Sequence, residues 1–133
     1  MTLIHGLKSR FSSVDTCMFP VFCKEYNYNF TLYDYLTLKY LEAFYTACKN
    51  DDADCYIYEG IIFKYFLINE HMKNMIDLIG CKEGDIRNSI SILFRQGVLP
   101  MPPEISHNYG DNMLYLYIPR RCIRSLYFYE YSC

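Results

Sequence analysis

The feature that most constrains this chain is a pair of amphipathic periods between residues 72 and 97, each closed by a glycine and joined by a few polar residues. Met72, Met75, Ile76 and Ile79 recur at helical spacing and stop at Gly80. After Cys81-Lys82-Glu83-Gly84, Asp85 can cap a second helix by accepting from its orphan N–H groups. Its inward residues are Ile86, Ile90, Leu93 and Phe94, and Gln96-Gly97 closes it, while Arg87, Asn88, Ser91 and Arg95 fall on the opposite, wet face.

The flanking segments extend this pattern. Upstream, Tyr58, Ile61, Ile62, Tyr65 and Phe66 also recur at helical spacing and predict a further helix. Downstream, Val98-Leu99 predicts a strand. Pro100, Pro102, Pro103 and the polar loop 106–112 follow, and Met113 to Ile118 is a run of strand formers behind that turn chemistry. Thr31, with Asp34 three residues on, predicts the start of a helix over Leu32 to Lys49. Its two stripes, Leu36, Tyr40, Phe44, Ala47 and Leu38, Leu41, Tyr45, Cys48, imply burial on two sides. The three carboxylates in Asn50 to Asp54 read as a solvated loop, because no glycine-turned loop with a distal Glu follows to hold calcium.

Residues 1–30 show no sustained period and read as an N-terminal arm in front of a single domain over 31–133. Within the arm, Met18-Phe19-Pro20-Val21-Phe22 is an apolar knot whose proline favours extended backbone. It either packs on the chain's own core or hooks onto another subunit.

Helix, helix, turn, helix, strand, polar loop, strand is the layout of a winged helix-turn-helix, an α+β class, here with an extra N-terminal arm and helix. The default partner of such a domain is duplex DNA, read by Arg87, Asn88, Ser91 and Arg95 with the loop 106–112 on the backbone. Charge argues against it. The chain has 13 Lys+Arg against 15 Asp+Glu, net −2, and its pI is about 5.9. Residues 1–80 carry seven basic and ten acidic side chains, −3, and residues 81–133 carry six and five, +1. The loop 106–112 has no Lys or Arg and one Asp, and Glu83 and Asp85 would face the same phosphates. Protein partners are therefore favoured, and a sequence-specific transcription regulator is the alternative.

The Phe19-Pro20-Val21-Phe22 knot, the helix ending near Tyr45 to Lys49, the unit from Asp85 to Leu99, and the tail Leu116 to Arg121 then Leu126 to Tyr131 occur in an order that resembles a known family. It is the first winged helix of the family of vacuolar protein-sorting-associated protein 25, the small subunit of the ESCRT-II endosomal sorting complex. The resemblance covers most of residues 17–131 and implies a non-catalytic subunit of an ESCRT-II-like assembly. The family's proline–aromatic segment seats it on its partner subunits and corresponds to Phe19, Pro20 and Phe22. This chain has one proline there where the family shows a pair, and it is too short for the family's second winged helix, which puts downstream recruitment in doubt.

The tail supports association independently of that likeness. Arg120, Arg121 and Arg124 stand beside Tyr127, Phe128, Tyr129 and Tyr131, and Arg with Tyr is enriched at interface cores. The 15 tyrosines divide accordingly: Tyr35, Tyr40, Tyr45, Tyr58 and Tyr65 on helical stripes as core, and Tyr26, Tyr28, Tyr127, Tyr129 and Tyr131 as interface.

No glycine-rich phosphate loop, nucleophile elbow or H-E-x-x-H motif is present, so no enzyme and no cofactor is expected. The seven cysteines are odd in number with no C-x-x-C, and no His is spaced against a Cys as a metal pair. With no secretory leader at the start, they predict reduced thiols and a cytoplasmic protein, nuclear if DNA is the partner. Lys64 interrupts the best apolar run, Tyr56 to Ile68, so no membrane span is expected.

Overall fold

The computed structural model describes residue 11 and residues 16–47, 55–99 and 115–119. A 3-10 turn over Thr16–Met18 leads into helix α1 (Phe19–Tyr26), followed by α2 (Leu32–Ala47), β1 (Cys55–Tyr58), β2 (Ile61–Leu67), α3 (Ile68–Ile79), α4 (Glu83–Arg95) and β3 (Tyr115–Pro119). The strands form one antiparallel sheet in the order β1-β2-β3. The architecture is thus α+β.

Helix α2 is the axis of the core, as its two apolar stripes require. Tyr35, Leu38, Tyr40 and Leu41 are fully enclosed, with Phe66 and Ile68 on one side and Ile86, Ile90 and Leu93 of α4 on another. Its start is a reciprocal cap. The Thr31 amide donates to Asp34 Oδ2 at 2.8 Å and the Asp34 amide donates to Thr31 Oγ1 at 3.2 Å, so two orphan donors are satisfied together. Gly80, at φ 81°, ends α3 in the left-handed region where a side chain would be strained.

Four local expectations are corrected. The segment around Tyr58 to Phe66 is a β-hairpin and no helix. Glu59 (φ 50°) and Gly60 (φ 81°) are both left-handed, as a two-residue hairpin turn with native twist demands, and Tyr58 pairs with Ile61 across it. Nearly every residue from 56 to 67 is apolar or aromatic, so a 3.6-residue period can be picked out of a strand pair that has no polar face to break it.

The Phe19 to Phe22 knot is helical instead of extended. Pro20 lies in the first turn of α1, where its missing N–H costs nothing and its fixed φ suits the helix. Asn27 (φ 52°) stops α1, and its amide donates back to the Lys24 carbonyl at 3.1 Å.

Val98-Leu99 is not a strand. The Val98 amide donates to the Leu93 carbonyl at 2.9 Å and the Gly97 amide to Phe94 at 3.1 Å, a Schellman closure with Gly97 at φ 76°. Both side chains are buried, and the Leu99 amide also donates to the Leu93 carbonyl at 3.2 Å, so neither N–H is offered to a sheet. The strand expected over Met113 to Ile118 is β3, but its neighbour is β2, with Tyr65 opposite Tyr117.

Asp85, finally, is the third residue of α4 and not its cap. Lys82 takes the cap position, and its amide donates to Asp85 Oδ2 at 3.0 Å.

Candidate functional site

Three places in the fold hold the residues that chemistry singles out. The first is the outer face of α4. Arg87, Asn88, Ser91 and Arg95 share it as expected, with Asn88 and Arg95 exposed and Arg87 and Ser91 half-buried. Arg87 is already engaged: Nε donates to Glu83 Oε2 at 2.9 Å and Nη2 to Asn69 Oδ1 at 3.2 Å. Glu83, one turn earlier, offsets the charge of that guanidinium.

The second place is the end of the bundle formed by α1 and the start of α2. Phe22, proposed from the sequence as a partner contact, is only 3% exposed. Its ring meets Phe30 at 4.7 Å and Tyr35 at 5.4 Å, and Phe19 packs half-buried on Tyr35 at 5.5 Å. Of that trio only Pro20 faces outward. Its exposed company is Met18 (47%) and Val21 (46%) of the same knot, with Leu32 (43%) and Tyr33 (39%), which the sequence did not single out as contacts. Of the two tyrosines assigned to an interface here, Tyr26 is half-buried against Phe22, and Tyr28 is exposed with its ring 4.8 Å from Phe30. Tyr28 also lines a shallow polar groove with Cys23, Lys24, Asn27 and Asn29.

The third place was missed. Buried between α2 and α3, Tyr40 Oη lies 2.8 Å from His71 Nδ1, and Asn74 Nδ2 donates to the same oxygen at 2.8 Å. The His71 ring stacks on Phe66 at 4.5 Å and meets Phe44 edge-on at 5.1 Å. Burial pushes the imidazole down to about 4, and burial pushes the Tyr40 phenol up to about 12 against a smaller opposing effect of the Asn74 bond. The only signal available was the i, i+3 spacing of His71 and Asn74, which puts them on one helix face, the same face as the apolar stripe.

Among the described residues no three metal-ligating side chains converge, and no described helix is long and apolar enough to cross a membrane. Cys23 and Cys81 are free thiols. Burial, with the charge of Asp85, raises the Cys81 thiol above its ordinary value, the opposite of what a nucleophile needs. Arg120, Arg121, Tyr127, Tyr129, Tyr131 and the loop 106–112 lie outside the described residues.

No protein-family model, curated protein or solved structure matches this chain.

Proposed function

We propose that this chain is a non-catalytic, winged-helix-type subunit that binds other proteins, in an assembly of the ESCRT-II kind that its sequence resembles. The observation that carries the reading is the exposed apolar set on the 3-10 turn, α1 and the start of α2: Met18, Val21, Leu32 and Tyr33, with Pro20 among them. Several large apolar side chains left in water within so short a stretch are what a protein-binding surface presents. The docking element is then the outward half of the proline–aromatic segment, with Phe19 and Phe22 holding α1 in place from beneath. The tail residues Arg120, Arg121, Tyr127, Tyr129 and Tyr131 join it on compositional grounds.

The alternative partner, DNA, is disfavoured by the net charge of −2 and by the pairing of Arg87 with Glu83 and Asn69. The deciding experiment is purification from native cells under mild conditions, with mass spectrometry of what co-elutes, beside the Val21→Asp variant. Stoichiometric protein partners lost in the variant support the reading. A monomer without partners that instead binds duplex DNA in a salt-sensitive manner, abolished by Arg87→Glu/Arg95→Glu, replaces it with the regulator.

A further inference from the structure

We infer that Tyr40, His71 and Asn74 form an acid-sensitive latch that holds α3 against α2 and releases when the His71 ring takes up a second proton. The geometry sets this up. His71 stands in the first turn of α3, directly after β2, and is 5% exposed. Asn74 Nδ2 donates to Tyr40 Oη, which leaves the phenol proton available for His71 Nδ1; the latch takes that arrangement, with the neutral ring carrying its own proton on Nε2. A second proton must land on Nδ1, where it meets a donor. Tyr40 would have to turn its hydroxyl away, toward the faces of Phe11 and Phe66 that pack edge-on against it.

Among the described residues no carboxylate is recorded against the ring to share the charge. The groups facing the ring are Tyr40 and Phe44 from α2, Phe66 from β2 and Asn74 from α3; Tyr40 is the sole titratable one, and no ion pair reaches the ring among the described residues. A buried imidazolium without a counter-ion is expelled, and the seam between the helices must open for it to reach water.

The direction follows from linkage. The neutral ring is favoured in the fold, so the stabilisation is complete above the ordinary histidine value of 6.5 and is lost as pH falls toward about 4. Between pH 7.5 and 5.0 the unfolding constant therefore rises about 30-fold from this one group.

Urea unfolding of the full chain at pH 7.5 and 5.0 tests this, with the variants His71→Phe and His71→Gln and with nitrogen-detected ring spectra of the wild type. The expected result is a rise of about 30-fold in the wild type, largely abolished in whichever variants fold. The wild-type His71 ring should stay neutral to below pH 5 with its proton on Nε2. A ring that protonates near pH 6.5, a proton found on Nδ1 at neutral pH, or variants that keep the full acid dependence would each overturn the latch. Should neither variant fold, the ring titration decides alone.

Discussion

Ser89 Oγ donates to Asp34 Oδ1 across 2.6 Å inside the core, so the carboxylate that starts α2 is also the group that α4 is fastened to. Both residues are buried, and the carboxylate accepts from the Thr31 amide on one oxygen and from Ser89, 55 residues away, on the other. Ser89→Ala leaves one oxygen of a buried carboxylate without a donor, an expected loss of about 1–3 kcal/mol. Asp34→Ala removes the cap and strands Ser89, and should cost more. Urea unfolding of the two single variants and the double variant should give losses that do not add, since one bond is counted twice.

Thr37 offers the reverse case. Its Oγ1 is enclosed and has no hydrogen-bond partner among the described residues, so the fold carries a desolvated hydroxyl. Thr37→Val keeps the shape and removes the polar atom, and should leave stability unchanged or raise it by about 1 kcal/mol, read as a higher urea midpoint at unchanged slope.

The hairpin turn is improvable at one position. Glu59 sits at φ 50°, where most side chains cost about 1 kcal/mol and Asn costs least. Glu59→Asn should raise the melting temperature, and Gly60→Val, which needs φ 81°, should lower it; the opposite order would mean the turn is not formed in solution.

Alkaline titration isolates Tyr40. With its phenol held up to about 12, the neutral form is favoured in the fold, so its contribution is whole below pH 10 and disappears as pH rises through 12. Absorbance of ionised phenol should show a component titrating late, and Tyr40→Phe should reduce it by one tyrosine. A single transition near pH 10 covering every tyrosine would refute the burial.

How much of this was legible depended on whether a residue's neighbours in sequence are also its neighbours in space. The α2, α3 and α4 helices were readable because polar and apolar positions alternate at their own period, and because Gly80 and Gly97 mark their ends by conformations few other residues adopt. The β1–β2 pair was not, since its sequence is apolar or aromatic at most positions of both faces and leaves no polar side to display a period of two. Pro20 misled because the residue that favours extended chain also favours a helix's first turn. On α4 the face could be placed but not its state: Arg87 is occupied by Glu83, four residues away and readable, and by Asn69, 18 residues away and not. The Tyr40–His71 bond spans 31 residues, and nothing local announces it.

The pairing of β3 with β2 has a consequence for how the chain is made. Pro119 lies opposite Phe63, so the third strand reaches its place after the whole α3–α4 pair has been synthesised and has turned back on itself. Until then β2 presents a bare row of amides and carbonyls on a two-stranded ribbon that is marginal alone. The nascent chain is thus most vulnerable to strand-by-strand capture by its neighbours on the same message, and a ribosome stalled before residue 115 releases a product with an open, adhesive edge.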